Sequence, residues 1–261
     1  MEEDVSIPHW EKLPPYRAVV AVDARDFSSL DSAGMQRVNE SIRGLLAQAM
    51  SAIGLSSSWE KHYFGQHTGD GYVAGLDPEY LPALVGCFPE ALCALLREHP
   101  RPDGKSFQLR VSLHIGPLPD DGLGVPMVET HRLLDDDGLR RLLARATPRR
   151  TPLAMIVSDR VYEDVFSSGR ATGGVSAEEF TRHLVRVKTF EKPAWVHIPG
   201  IDWNLVDRGL LLSGSPSQED RGQKVSPPEG PQQAPSAGGI VASRGDRNFV
   251  GYNQTIHGGG H

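Results

Sequence analysis

Two aspartates stand at positions where a carboxylate is unusual, and a chemistry can be predicted from them. Asp23 ends the apolar run Tyr16–Asp23, which is typical of a central strand. Asp70 lies between Gly69 and Gly71, a pattern typical of a tight hairpin turn. A carboxylate at a buried strand end is costly unless it is paired or bound to a cation. If neighbouring strands bring the two together, they repel each other unless a divalent metal neutralises them.

Hard oxygen ligands of this kind suit Mg²⁺ or Mn²⁺ carrying a phosphate chain. Asp23 and Asp70 are therefore candidate metal ligands. Two plainer interpretations stay open at this point. Asp-Gly is a common turn pair, and Asp23 could simply cap the segment that follows it.

The elements that must position these residues alternate between strands and helices along the chain. Continuous or alternating apolar residues predict strands, and apolar residues at helical spacing predict helices. The predicted strands are 16–23, 59–67, 72–76, 108–115, 153–157, 180–187 and 194–198; the predicted helices are 31–52, 78–98, 125–146 and 159–166. The third helix is expected to break near Asp137-Gly138. This order predicts an α/β sandwich with helices packed on a mixed sheet.

Composition excludes several classes of protein. The chain has 33 acidic and 27 basic residues, a formal net charge of −6, so we expect no general nucleic-acid binding. The sequence contains no apolar run of about 18 residues, so we predict no membrane span. Glu2, Glu3 and Asp4 give the N-terminus the wrong charge for a signal peptide. Cys87 and Cys93 are expected to be reduced core thiols, which indicates a cytoplasmic protein.

The composition of the chain changes near residue 200. Residues 215–239 are rich in Ser, Pro, Gln and Gly, and such a stretch buries too little apolar surface to offset its ordering entropy. We therefore predict a domain over 14–200, a disordered linker over 201–244 and a short β-prone tail over 245–261.

Four segments resemble, in the right order, motifs of the class III nucleotide cyclases. Asp23–Ser28 (DARDFS) resembles their Asp-Ile-x-Gly-Phe-Thr stretch, and Gln66–Gly71 (QHTGDG) resembles their Lys-x-x-Gly-Asp-Gly hairpin. Arg110–Gly116 (RVSLHIG) is similar to the strand that follows, and Met127–Leu133 (MVETHRL) to their Asn-x-Ala-x-Arg-Leu helix. The resemblance covers residues 14–200 and implies a ferredoxin-like βαββαβ palm.

The resemblance also implies an activity, the conversion of a nucleoside triphosphate to a 3′,5′-cyclic nucleotide and pyrophosphate. Asp23 and Asp70 would hold two divalent ions, Mg²⁺ or Mn²⁺, one activating the ribose 3′-hydroxyl and one bridging the triphosphate. The backbone amides of Arg25, Asp26 and Phe27 would bind the phosphates at the turn into the first helix.

Arg132 takes the place of the arginine in the family's helix motif. The resemblance implies that Arg132 stabilises charge on the leaving pyrophosphate, across a head-to-tail homodimer interface. The alternative is an ordinary helix-face ion pair with Asp135 or Asp136. A nearby group of arginines, which comprises Arg140, Arg141, Arg145, Arg149 and Arg150, is expected to form a solvated helix face.

The departures from the family's pattern lie at the positions that read the nucleotide. Gln66 stands where purine cyclases have a base-reading lysine, and Val128 stands where they have a ribose-binding asparagine. Asp121 lies near the second base-reading position. Two hypotheses follow: an active cyclase with an altered base choice, or a catalytically degenerate module that binds nucleotide and signals by dimerising.

The last residues form a distinct β-prone segment. Asn248–Gly258 combines aromatic and β-branched residues with Asn, Gln and Gly, and it contains no acidic residue or proline. The segment resembles the amyloid-signalling motifs of bacterial conflict-system proteins, which implies a tail-mediated protein partner and a role in antiviral defence or stress signalling. The alternative is a chance β-prone run in a disordered tail.

Overall fold

The computed structural model describes residues 11–170 and 172–200. The predicted linker over 201–244 and the predicted tail over 245–261 lie outside the described residues, so both stay predictions from the sequence.

The strands of the described residues form one seven-stranded sheet. They are β1 (Tyr16–Ala24), β2 (Phe64–His67), β3 (Gly71–Leu76), β4 (Leu109–Pro117), β5 (Leu153–Ser158), β6 (Thr181–Val187) and β7 (Phe190–His197). Their spatial order is β2-β3-β1-β4-β5-β7-β6. The pairing of β4 with β5 is parallel, and the other pairings are antiparallel.

The helices occupy the connections between these strands. They are α1 (Ser32–Ala52), α2 (Ser56–Glu60), α3 (Leu81–Val85), α4 (Cys87–Glu98), α5 (Val125–Leu134), α6 (Asp137–Arg145) and α7 (Asp159–Tyr162), which continues as a π-helical turn over Glu163–Ser167. The first four strands and the helices between them follow the βαββαβ order, with β1 between β3 and β4. The predicted α/β class and ferredoxin-like palm are confirmed.

Two of the helices around the site begin after a capping aspartate. Asp31 precedes α1 and its side chain accepts a hydrogen bond from the amide of Gly34 at 2.7 Å. Asp136 precedes α6, and its side chain accepts a hydrogen bond from the amide of Leu139 at 2.8 Å. The predicted helix over 125–146 therefore divides where the sequence predicts a break.

Three predicted elements differ from the structure. Trp59 is the buried residue of α2, so the predicted strand over 59–67 exists only from Phe64 onward. The predicted helix over 78–98 divides at Gly86, where a Cβ atom would lie 1.6 Å from the carbonyl oxygen of Thr172. The last strand begins at Phe190 rather than at residue 194.

The sheet separates two layers of helices, and β1 shows why. Ala18, Val20 and Val22 pack against the main apolar core, which includes the buried residues of α1 and α4. Val19 and Ala21 point the other way, into a smaller cluster with Leu134 of α5. Side chains alternate along a strand, so Asp23 lies on the α5 side.

No single helix among the described residues is long and apolar enough to cross a membrane. The bent pair Pro78–Val85 and Cys87–Glu98 meets that criterion by length and composition only when its two halves are taken together. Its apolar residues, including Leu84, Phe88 and Leu92, are buried in the main core.

Candidate active site

The register of the sheet brings the two predicted metal ligands to one edge. Asp23 lies opposite Gly71 on β3 and opposite Arg110 on β4, and the amide of Ala24 donates to the carbonyl oxygen of Asp70 at 2.9 Å. A side chain at Gly71 would not fit, because its Cβ would lie 1.8 Å from the carbonyl oxygen of Val22. The Gly-Asp-Gly sequence therefore permits the hairpin to approach β1 closely.

A cavity of about 760 Å³ opens at this edge of the sheet. Its volume is within the range of about 300 to 1,000 Å³ that is typical of small-molecule sites. The residues that line it are Ala24, Arg25, Asp26, Phe27, Ser28, Met35, Thr68, Gly69, Asp70, Arg110, Arg140, Leu143 and Ala144. The structure thus brings the predicted phosphate-binding turn and the predicted hairpin ligand to one space.

Asp23 does not itself line the cavity, but it forms a tight ion pair with Arg110, which does. Asp23 is only 5 % exposed, and Arg110 donates to both carboxylate oxygens, through Nε at 2.8 Å and Nη2 at 2.5 Å. Burial raises the pKa of Asp23 to about 7, although the Arg110 guanidinium lowers it, and the nearby Asp70 carboxylate contributes to the rise. The positive charge of Arg110 alone therefore does not offset the cost of burying the ionised Asp23 carboxylate.

The donor set fits a divalent ion that arrives with a polyphosphate. No cluster of three or more His, Cys, Asp or Glu side chains that could hold a metal occurs in the part of the chain that the structure describes. Mg²⁺, however, is usually bound by one or two carboxylates together with substrate phosphates and water. Asp23 and Asp70 supply that number, and a cation there would share the Asp23 carboxylate with Arg110.

The turn after β1 carries the three amides that were predicted to bind phosphate, and the structure corrects one of them. Asp26 has a left-handed backbone, with φ of 59°, and a short 3₁₀ turn begins at Phe27. The amide of Arg25, however, donates to the carbonyl oxygen of Gln108 at 2.9 Å. The Arg25 amide is therefore not available to a phosphate, and the predicted phosphate contacts reduce to the amides of Asp26 and Phe27.

Arg132 is half-buried on α5 and does not line this cavity. The alternative ion pair with Asp135 or Asp136 is not formed. Asp135 pairs with Arg140 at 2.6 Å, and Asp136 accepts from the Leu139 amide. No ion pair joins Arg132 to another of the described residues. Its catalytic role across a dimer interface stays a prediction.

The two predicted base-reading residues lie side by side. Gln66 donates from Nε2 to the backbone oxygen of Asp121 at 3.4 Å. The loop that carries Asp121 is held by Arg17, whose guanidinium lies 3.2 Å above the Tyr63 ring and donates to Asp120 at 2.9 Å. Val128, at the ribose position of the family, is 53 % exposed on the first turns of α5, which leaves an apolar surface there. Contacts of Arg17 therefore hold the loop that carries one of these two predicted residues.

Two residues at the cavity were not predicted from the sequence. Arg110 lies near the start of an alternating strand, β4, which runs antiparallel to β1. In an antiparallel pair the start of one strand lies beside the end of the other, so this pairing would have predicted Arg110 beside Asp23. Arg140 is 48 % exposed and pairs with Asp135, as the predicted solvated helix face implies, but it also lines the cavity, which the sequence did not predict. No local signal in the sequence separates Arg140 from its neighbours.

Comparisons with known proteins give a likeness of structure. No family model matches the sequence, and no curated protein matches it. The catalytic core of a rhodopsin-guanylyl cyclase in complex with ATPαS is 16% identical, covers 72% of this chain and 97% of that chain, and has a TM-score of 0.47. The guanylate cyclase domain of RhGC from Catenaria anguillulae, in complex with GTP, is 13% identical over 72% and 98% of the chains, with a TM-score of 0.47.

The adenylate/guanylate cyclase/hydrolase from Silicibacter pomeroyi is 22% identical over 72% of this chain and 98% of that chain, with a TM-score of 0.44. All three identities are below 25%, and all three TM-scores are below 0.5.

Proposed function

We propose that this protein is a class III-type nucleotide cyclase, which converts a nucleoside triphosphate to a 3′,5′-cyclic nucleotide and pyrophosphate as a cytoplasmic homodimer. One observation carries the proposal: the strand end with Asp23 pairs directly with the hairpin of Asp70, and Asp70, the turn after β1 and Arg110, the partner of Asp23, line one cavity of about 760 Å³. This is the arrangement that the motif order implies.

Each residue has a separate task in this proposal. Asp23 and Asp70 hold divalent ions, which when bound polarise the ribose 3′-hydroxyl and neutralise the triphosphate. The amides of Asp26 and Phe27 donate to phosphate oxygens. Arg132 of one subunit stabilises the negative charge that develops on the pyrophosphate bound to the other subunit.

Gln66 and Asp121 contact the base in this proposal. Gln66 can both donate and accept hydrogen bonds, whereas a lysine can only donate. An amide at this position is therefore compatible with a base other than the purine that a lysine reads.

The test is a product screen. Purified full-length protein is incubated with each of the four nucleoside triphosphates and Mn²⁺, and cyclic products are identified by mass spectrometry. We expect one or more cyclic nucleotides from the wild-type protein and none from the Asp23→Ala or Asp70→Ala proteins. Undiminished product from either substituted protein would contradict the assignment of the ion ligands.

A second candidate function is a catalytically silent module that binds nucleotide and dimerises. The observation that favours it is the ion pair of Asp23, in which Arg110 already supplies a positive charge to the carboxylate where the metal would bind. Tight triphosphate binding without any cyclic product would support this function, and product from any base would exclude it.

A further inference from the structure

Helix α6 places one arginine in the wall of the cavity. Arg140 lines the cavity together with Leu143 and Ala144 of the same helix. Arg140 thus adds a positive charge on the side of the cavity that α6 forms.

The partner of Arg140 holds it weakly. The guanidinium donates from Nη2 to Oδ1 of Asp135 at 2.6 Å, and the two side chains are 48 % and 43 % exposed. Exposed pairs of this kind contribute little because water screens them and both side chains lose rotamer freedom. A multiply charged anion in the cavity can therefore replace Asp135 as the partner.

The other two arginines of the cavity are committed to structural bonds. Arg25 donates from Nη1 to Oε1 of Gln108 at 2.7 Å and to the carbonyl oxygen of Leu143 at 3.0 Å. Arg110 holds Asp23 with two hydrogen bonds. Among the arginines that line the cavity, Arg140 is therefore the one whose release breaks a single surface ion pair.

The helix that carries Arg140 is itself fixed in place. The carbonyl oxygen of Leu143 accepts from Arg25 and also from Nε2 of Gln108 at 3.2 Å, and Asp136 caps the first turn. Asp136 is also paired with the buried His183 at 3.0 Å. A substitution of Arg140 therefore alters a side chain on a fixed helix and not the position of the helix.

We propose that Arg140 binds the polyphosphate of the substrate from its own subunit and exchanges Asp135 for phosphate oxygens when the substrate enters. This inference rests on the proposed function, because that function supplies a nucleoside triphosphate as the ligand. It differs from the role of Arg132, which acts on the partner's site and requires the dimer. A guanidinium suits this task because its planar donors bind phosphate with two parallel hydrogen bonds.

The test measures the binding of inorganic tripolyphosphate by titration calorimetry, with and without Mg²⁺. We expect Arg140→Gln to weaken binding by roughly 10- to 100-fold, the loss of one charge-assisted contact. Arg140→Lys keeps the charge but not the paired donors and should fall between that protein and the wild type. The matched control is Arg145→Gln, an exposed arginine at the end of the same helix that does not line the cavity, and it should change the affinity less than about twofold.

The reverse substitution tests the exchange itself. Asp135→Asn removes the competing carboxylate and should tighten tripolyphosphate binding by about 1.5- to 5-fold, the strength of a surface ion pair. A purely structural role for the Asp135–Arg140 pair predicts no such gain. The melting temperatures of all four variants should match that of the wild-type protein.

The possible results separate this inference from the proposed function. If the wild type binds tripolyphosphate and the Arg140→Gln and Arg145→Gln proteins bind it equally well, the inference is wrong and the proposed cyclase stands. If Asp135→Asn leaves the affinity unchanged, the exchange is wrong. If the wild-type protein binds neither tripolyphosphate nor any nucleoside triphosphate, the proposed function and this inference both fail.

Discussion

The substitution Asp23→Asn tests whether burial or the Arg110 guanidinium has the larger effect on the pKa of Asp23. Burial disfavours its charge and Arg110 favours it, and the balance raises the pKa of Asp23 from 3.8 to about 7. Because the pKa is higher in the folded chain than in the unfolded chain, the folded chain holds this proton more tightly. The stability from this group is complete below about pH 4 and is lost as the pH rises to about 7.

The size of the effect follows from that difference in pKa. One pKa unit corresponds to about 1.4 kcal/mol, so a rise of about three units corresponds to ~4 kcal/mol in the free energy of unfolding. Asparagine cannot ionise, so the substituted protein lacks this dependence. We expect Asp23→Asn to be more stable than the wild type by up to ~4 kcal/mol at pH 8, and the two proteins to converge toward pH 4.

The assay is urea unfolding across this pH range in a chelating buffer, so that no divalent ion binds. The matched control is Glu98→Gln, an exposed carboxyl at the end of α4, for which the difference from wild type should be within about 0.5 kcal/mol at every pH. If Asp23→Asn is instead the less stable protein at pH 8, the Arg110 guanidinium outweighs burial and Asp23 is ionised at low pH. That result would refute the predicted dominance of burial over the ion pair.

Three further predictions concern the hairpin and the helix α5. Arg132→Ala should lower the rate of product formation by roughly 10²-fold or more while triphosphate affinity, measured by calorimetry, stays near that of the wild type; an equal loss of both would argue for a binding role. Asp70→Asn should weaken Mn²⁺ binding, followed by electron paramagnetic resonance, by at least about tenfold, and unchanged binding would remove Asp70 from the site. Gly71→Ala should destabilise the fold by at least roughly 1–3 kcal/mol in urea unfolding, because its Cβ would lie 1.8 Å from the oxygen of Val22; an unaffected midpoint would mean that β3 can move away from β1.

Local patterns were enough to predict most of the elements around the site. The apolar run before Asp23, the helical spacing over 31–52 and the glycines beside Asp70 each act within a few residues, and each element lies in the structure where the pattern predicts it. Bringing Asp23 next to Asp70 needed one further condition, the direct pairing of the first and third strands, which the structure shows.

Contacts between distant segments account for what the sequence did not predict. Tryptophan is common in strands, but Trp59 lies in the short helix α2. The centre of its ring lies 5.8 Å from the centre of the Tyr72 ring. Arg140 resembles its neighbours in sequence, and only the position of α6 against Arg25 and Gln108 brings it to the cavity. The ion pair of Arg110 with Asp23 depends on the register of β1 and β4, which no local pattern determines.

The register of β1 connects the stability of the sheet to the chemistry of the site. Val20 and Val22 face the main core, whereas Ala21 and Asp23 face α5. A slip of one residue would turn every side chain of the strand to the opposite face, so Asp23 would enter the apolar core and leave Arg110. The cost of burying an unpaired carboxylate there opposes such a slip. The same alternation that fills the core therefore also keeps the Asp23 carboxylate beside Arg110, and a cation bound there would lower its raised pKa.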